Sequence, residues 1–237
     1  MSVQPTRERL DVIAGTLVHD RAKLSIADAR TLYLFAPGYV REMINGRVFV
    51  RHVRSSLDAA LGDVRGVSGR DGRGNVVDLD QTRCWLGASG YLMLLDQICT
   101  VFDYGGFEGL LTSDMAGLSA DEAGAIYGLR NAFVHSYGLV NDAKGLKDAT
   151  RRRRRHTFNL TVGQSTLVTL GDRTNVLTAK LPDLPPTTID LGRLGDHVEM
   201  IVEQIRASHL TGVSLPWAVT DIDEFVGLSF FSHYDTI

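Results

Sequence analysis

The chain has 237 residues, 44% of them hydrophobic and 22% charged, with a formal net charge of −3. That length and apolar content suffice for one large core, or one domain with an appendage, and they exclude a disordered chain. The small negative charge argues against a generic polyanion binder, yet it is uneven: nine acids and two arginines follow Pro182, while the preceding part holds 23 basic and 19 acidic residues.

Helical periodicity predicts helices over 6–20, 25–35, 39–64, 79–104 and 119–141, with a short helical piece at 107–111. On the third of these, Arg47, Arg51 and Arg54 recur at helical spacing and would form a basic stripe. The glycine-rich segment 65–75 reads as a mobile connection, since it lacks the Gly-Lys-Ser/Thr ending of a phosphate-binding loop. Cys84 and Cys99 share the fourth helix about 22 Å apart along its axis, too far for a disulfide. The chain therefore reads as reduced and cytoplasmic. The N-terminus, with Arg7, Glu8 and Arg9, has no apolar signal core, and the apolar stretch Tyr91 to Leu95 is too short to span a bilayer, so no membrane partner is expected.

Beyond the arginine run Arg151 to Arg155, apolar and polar residues alternate over 157–162 and 165–170 around Gly163-Gln164, which predicts a β-hairpin. Leu181 to Pro186 reads as an extended proline-rich linker. Helical periodicity resumes over Asp190 to His209, with Leu191, Leu194, Val198, Ile201, Val202 and Ile205 on one side. The tail from Ser214 carries Trp217, Phe225, Phe230, Phe231 and Tyr234 and is expected to be docked. The expected fold is mainly α: a helical bundle with an inserted β-hairpin and a C-terminal helix. Its expected divisions are a bundle over 1–150, the basic run, hairpin and linker over 151–186, and a helix and tail packed on the bundle over 187–237.

An arginine followed five residues later by a histidine occurs three times: Arg47 with His52, Arg130 with His135, and Arg151 with His156. Spacing alone does not separate them, but context does. Ser119-Ala120-Asp121-Glu122 is a capping box that starts a helix ahead of Arg130. On that helix Ile126, Leu129, Phe133, Tyr137 and Val140 form a core stripe. Gly124, Gly128, Asn131, His135 and Gly138 share a second stripe, with Arg130 and Tyr127 along its edge. Each interior glycine costs about 1 kcal/mol relative to alanine, so three on one face predict close approach of a helix or a ligand backbone. The same pattern would also relieve crowding inside a bundle, with His135 a satisfied interior histidine.

The run Arg130-Asn131-Ala132-Phe133-Val134-His135 resembles the signature of the HEPN superfamily: Arg, a polar residue that is commonly Asn, three variable positions, then His. Arg47 lacks the polar neighbour, and Arg151 lies in a segment too charged for a packed helix. The resemblance covers about Ser119 to Asn141. It implies a helical bundle that dimerises with two motif helices across a shared cleft. It also implies metal-independent endoribonuclease activity of toxin, phage-defence or RNA-processing type, or a non-catalytic module that binds RNA or nucleotides. Arg130, Asn131 and His135 match the three motif positions. The family often adds an acidic or hydroxyl residue from a preceding helix, for which Asp96 and Asp103 are the candidates.

The residue chemistry fits that activity. RNA carries a 2′-hydroxyl beside each phosphodiester and is cleaved by a base, an acid and charge stabilisation. An imidazole moves protons near neutral pH, a guanidinium matches phosphate oxygens, and an amide orients either one. The run Arg151, Arg152, Arg153, Arg154 and Arg155 would attract a phosphate backbone without reading sequence, although a solvated loop has the same composition. Arg130 and His135 point about 140° apart on one helix, so a two-fold pair of chains is part of the expectation. Expected partners are RNA, a second copy of the chain and an antitoxin protein. No cofactor and no metal are expected, since no Cys-x-x-Cys, His-Glu-x-x-His or Gly-x-Ser-x-Gly pattern occurs.

Overall fold

Thr6 accepts the Arg9 N–H and Ser25 the Asp28 N–H, and from these caps run the first two expected helices, α1 (Arg7–His19) and α2 (Ile26–Leu34). The computed structural model describes residues 4–82, 85–136, 138–142, 152–174, 178–180 and 183–235. Contacts group the chain into two compact units, one made of Met1–Asp63, Thr100–Asp103 and Ile205–Ile237, the other of Val64–Cys99 and Tyr104–Gln204. Their boundaries do not fall at 150 or 186.

In the first unit the expected helix over 39–64 is replaced by two strands and a shorter helix. Strands β1 (Gly38–Ile44) and β2 (Arg47–Ser55) pair antiparallel, and α3 (Ser56–Val67) follows. The cause is local. Asn45-Gly46 takes φ of 51° and 77°, the left-handed two-residue turn that closes a twisted hairpin, and Val48, Val50 and Val53 favour the extended chain. Strand alternation also dissolves the expected basic stripe. Arg51 lies on the buried side, its Nε 3.3 Å from the Glu42 carboxylate, while Arg54 lies on the exposed side.

The aromatic tail is docked, and it adds elements that its composition did not announce. Asp221 caps α10 (Ile222–Ser229), which leads directly into β7 (Phe230–Asp235), antiparallel to β2 in a sheet of order β1-β2-β7. Trp217 packs 4.4 Å from Phe102 and 5.7 Å from Phe225, and Tyr33 lies 6.4 and 5.7 Å from the same two rings. Tyr33, Phe102 and Phe225 are fully buried. Each such side chain contributes about 2–3 kcal/mol of transfer free energy, so the tail is part of this core.

The second unit contains α4 (Leu79–Thr82), α5 (Trp85–Val101), α6 (Gly106–Thr112), α7 (Ala120–Ser136), β3 (Val140–Asn141), a helical turn α8 at 152–154, β4 (His156–Thr161), β5 (Val168–Thr169), β6 (Thr187–Asp190) and α9 (Leu191–Leu210); α5 and α9 end in the first unit. Both strands expected after the arginine run exist, but they do not form a hairpin. Strand β6 lies between them, parallel to β4 and antiparallel to β5, in the order β3-β4-β6-β5. Ile189 explains the insertion: it is fully buried and registers with both Leu160 and Val168. The expected linker ends at Pro186 and the expected helix starts at Asp190, so this four-residue strand was not anticipated. Asp190 closes β6 and caps α9, its carboxylate accepting the Arg193 N–H at 2.8 Å and the Gln164 N–H at 2.6 Å.

The segment expected to be mobile, 65–75, is a tied turn. Its strands bridge at Arg70 and Val76, and the Asp71 carboxylate accepts the N–H groups of Arg73 and Asn75. Arg70, 7% exposed, donates to the carbonyls of Gly74 and Gly192 at 2.7 Å and to Asp196 at 2.9 Å. Arg65 grips Glu199 through two bonds of 2.9 and 2.6 Å, and the Tyr91 hydroxyl donates to the same carboxylate. Two arginines therefore bind the turn to α9. The protein is mainly α with two small sheets, and among the described residues no helix is long and apolar enough to cross a membrane.

Candidate nucleic-acid site

The capping box ahead of Arg130 forms as the residues dictate: Ser119 Oγ accepts the Glu122 N–H at 3.3 Å while the Glu122 carboxylate accepts the Ser119 N–H at 3.0 Å. Helix α7 then runs to Ser136, short of the expected Asn141. Gly138 donates to the Ala132 carbonyl six residues back, a helix-ending bond, and Val140–Asn141 pairs with β4 as a strand. Tyr137, placed in the core stripe from the sequence, lies outside the described residues, and Val140 is exposed rather than core.

Helix α7 is buried on most of its circumference. Ala123, Ala125, Ile126, Leu129, Ala132 and Phe133 are in the core, and Gly124 and Gly128 are buried as well. From Tyr127 to His135 the positions with solvent access are Tyr127, Arg130, Asn131, Val134 and His135. At 100° per residue these span about 140°, with Arg130 at one edge, His135 at the other, and Val134 and Asn131 between them. All three motif residues thus share the accessible strip of a helix that is otherwise enclosed.

Arg130 is held from two sides. Its Nε donates to Asp96 of α5 at 2.8 Å, and its Nη1 donates to the Asn131 amide oxygen at 3.0 Å. The Arg130 and Asp96 side chains are 25% and 34% exposed, so the pair is open to a ligand. Of the two acidic candidates Asp96 therefore meets the arginine, whereas Asp103 belongs to the first unit, its N–H bonded to the Pro216 carbonyl. His135 is exposed in the last turn of α7 and is not an interior histidine. Among the described residues no hydrogen bond joins it to Arg130, Asn131 or Asp96.

The close approach predicted for the glycine face is present, and this chain's own arginine segment makes it. A Cβ on Gly124 would sit 2.7 Å from Arg153 Cβ, and one on Gly128 would sit 3.1 Å from the Arg154 carbonyl and 3.3 Å from the His156 ring. The N-terminal half of the stripe is thereby covered. Its C-terminal half, with Asn131 and His135, stays open.

This packing divides the arginine run. Arg154 ion-pairs with Glu108 and stacks 4.4 Å over the Tyr127 ring, while Arg155, 7% exposed, bonds Asp142 at 2.9 Å. Arg152 is exposed and Arg153 half-buried, and Arg151 lies outside the described residues. The run is thus a packed turn with two charges internally neutralised. The cations left for a ligand, at Arg152 and Arg153, sit beside Gly124, about 16 Å along the helix axis from His135.

His156, which ends the third Arg-x₄-His match, is the peg of this turn. It is 1% exposed; its Nε2 donates to the Arg153 carbonyl, and its Nδ1 lies 2.8 Å from Thr187 Oγ1 and 2.7 Å from Arg173 Nη1. A carbonyl at one nitrogen and donors at the other fix a neutral ring. Burial first, and then the Arg173 charge, push its pKa down from 6.5 to about 3. The unfolded chain therefore takes up a proton near pH 6.5 that the folded chain refuses. This residue's contribution is complete above pH 6.5 and declines as pH falls towards 3. Denaturant melts of the wild type and of His156→Phe between pH 7 and 4 should show a shallower pH slope in the variant; equal slopes would contradict the assignment.

Sequence reasoning did not anticipate Glu108, Asp142 and Arg173, whose partners are distant in the chain and leave no local pattern. Cys99 is half-buried, and burial pushes its thiol up to about 12, so it is no nucleophile; Cys84 lies outside the described residues. No family model, no curated protein and no solved structure matches the chain.

Proposed function

We propose that this protein is a metal-independent endoribonuclease of the HEPN type, a cytoplasmic toxin or phage-defence effector built on a helical bundle and restrained by an antitoxin protein. The reading rests on one observation: the accessible strip of α7 carries Arg130, Asn131 and His135 together, with Arg130 bonded to both Asp96 and Asn131. In the proposed reaction the 2′-oxygen attacks phosphorus and the bond to the 5′-oxygen breaks. His135 carries the proton from one oxygen to the other, directly or through water. Arg130, aligned by Asp96, neutralises the charge that builds on the phosphoryl oxygens. Asn131 positions the guanidinium, and Arg152 and Arg153 hold the flanking backbone.

Val134, 56% exposed between Arg130 and His135, is an apolar residue in the middle of a polar strip. A second copy packed there would cover it and place an Arg130 opposite a His135 across a two-fold axis. The experiment is incubation of end-labelled RNA with excess chelator, followed by analysis of the new ends. The expected products carry 2′,3′-cyclic phosphates and 5′-hydroxyls; 3′-hydroxyl ends, or no cleavage, would reject the mechanism. Pairing of Arg130 with Asp96 within one chain favours a second reading, a non-catalytic HEPN-like module that binds RNA or nucleotides. That version predicts salt-dependent RNA binding without turnover.

A further inference from the structure

Alternation along the antiparallel pair β1 and β2 sorts its side chains onto two sides. Val40, Glu42, Val53 and Ser55 are buried on one, and Tyr39, Arg41, Met43, Val48, His52 and Arg54 lie on the other. The second side is open to solvent: Met43 is 76% exposed, Val48 56% and Tyr39 39%. Its composition is unusual for a solvated face, since aromatic and apolar groups alternate with cations. None of the β1 and β2 side chains on it is acidic, and Asp235 of β7 registers with Val50 at its end. Arg41 and Arg54 are exposed and form no ion pair or hydrogen bond with any described residue, and the Arg41 guanidinium lies 5.9 Å from the Tyr39 ring centroid.

We infer that this sheet face binds single-stranded nucleic acid. The charge pattern selects a polyanion, and the flat rings of Tyr39 and His52, cross-strand neighbours in the register, select one with exposed base faces. The Tyr39 ring is held in place for that role: the Arg7 guanidinium packs 4.6 Å from its centroid and donates to the carbonyls of Pro37 and Tyr39 at 2.6 Å. Arg41 registers with Val50, four residues from Arg54, so the two exposed cations stand about 14 Å apart across the rings. That separation spans a few nucleotides of an extended strand. The face belongs to the first unit, and the inference does not depend on the nuclease reading.

The test is fluorescence anisotropy of labelled single-stranded RNA and DNA oligomers on the full chain. It is run in a His135→Ala background to prevent turnover, with Arg152→Gln and Arg153→Gln added so that the arginine turn does not mask the result. Arg41→Gln with Arg54→Gln should weaken binding about tenfold and lower the log–log salt slope by about 1.4, the release from two phosphates. Tyr39→Ala should weaken it about fivefold or more, and a duplex of equal length should bind less well than either strand. Binding of RNA alone or of both oligomers supports the inference and shows which sugar the face accepts. Unchanged affinity and slope in the double glutamine variant, whose substituted side chains are exposed and leave folding intact, would overturn it. So would a duplex bound as tightly as a single strand. If Met43→Asp instead shifts the sedimentation coefficient of the chain while oligomer binding stays the same, the face belongs to a second copy and the inference is wrong.

Discussion

Glu199→Ala is expected to destabilise the protein by about 3–5 kcal/mol, the usual cost of removing one partner from a largely buried ion pair. Arg65 and Glu199 are only 16% and 12% exposed in their side chains, and they share two bonds, so the variant would leave a guanidinium with little water to replace the carboxylate. It would also remove the acceptor of the Tyr91 hydroxyl. Glu199→Gln keeps an acceptor for both donors and should cost less than alanine. The measurement is equilibrium urea unfolding. A loss under about 1 kcal/mol for the alanine variant would mean that the turn over 65–78 is not anchored to α9 as described.

Arg130→Ala is expected to lower kcat/KM for RNA cleavage by about 10²–10³, the scale of losing one charge-stabilising donor in a transition state. The loss should fall mainly on kcat, because the proposed contact strengthens as negative charge builds on the phosphoryl group. Arg130→Lys should recover only part of it, since an ammonium cannot bond Asp96 and a phosphate oxygen in the planar, forked manner of a guanidinium. Asp96→Asn tests alignment separately: it retains an acceptor for Arg130 Nε and should give an intermediate kcat with little change in KM. An Arg130→Ala enzyme within twofold of wild type would show that this arginine is structural.

How much of this was legible depends on whether the deciding contacts are local. The caps Thr6, Ser25 and Ser119 each bond a backbone N–H three residues ahead, and the helices that they start appear where the sequence places them. The Asn45-Gly46 turn is equally local, and it replaces the helix expected over 39–64 with a hairpin. Strand β6 was hidden because Ile189 gains its burial from Leu160 and Val168, both more than 20 positions away. The glycines of α7 correctly announced a close neighbour, yet nothing in their spacing could say that Arg153 and Arg154 would fill it. Whether an arginine is a solvated cation or half of an ion pair is likewise a tertiary question. Arg154 meets Glu108 across 46 positions and Arg155 meets Asp142 across 13, so a run of identical residues acquired several different environments.

The most direct measurement is single-turnover cleavage of one labelled RNA, in excess chelator, by the wild type and by His135→Ala at matched folded concentration. The account predicts cyclic-phosphate products from the wild type and a rate lower by about 10²–10⁴ in the variant, the contribution of a positioned proton-transfer group. Equal rates from the two proteins would contradict it, because the exposed imidazole at the end of α7 would then have no part in breaking the phosphodiester bond.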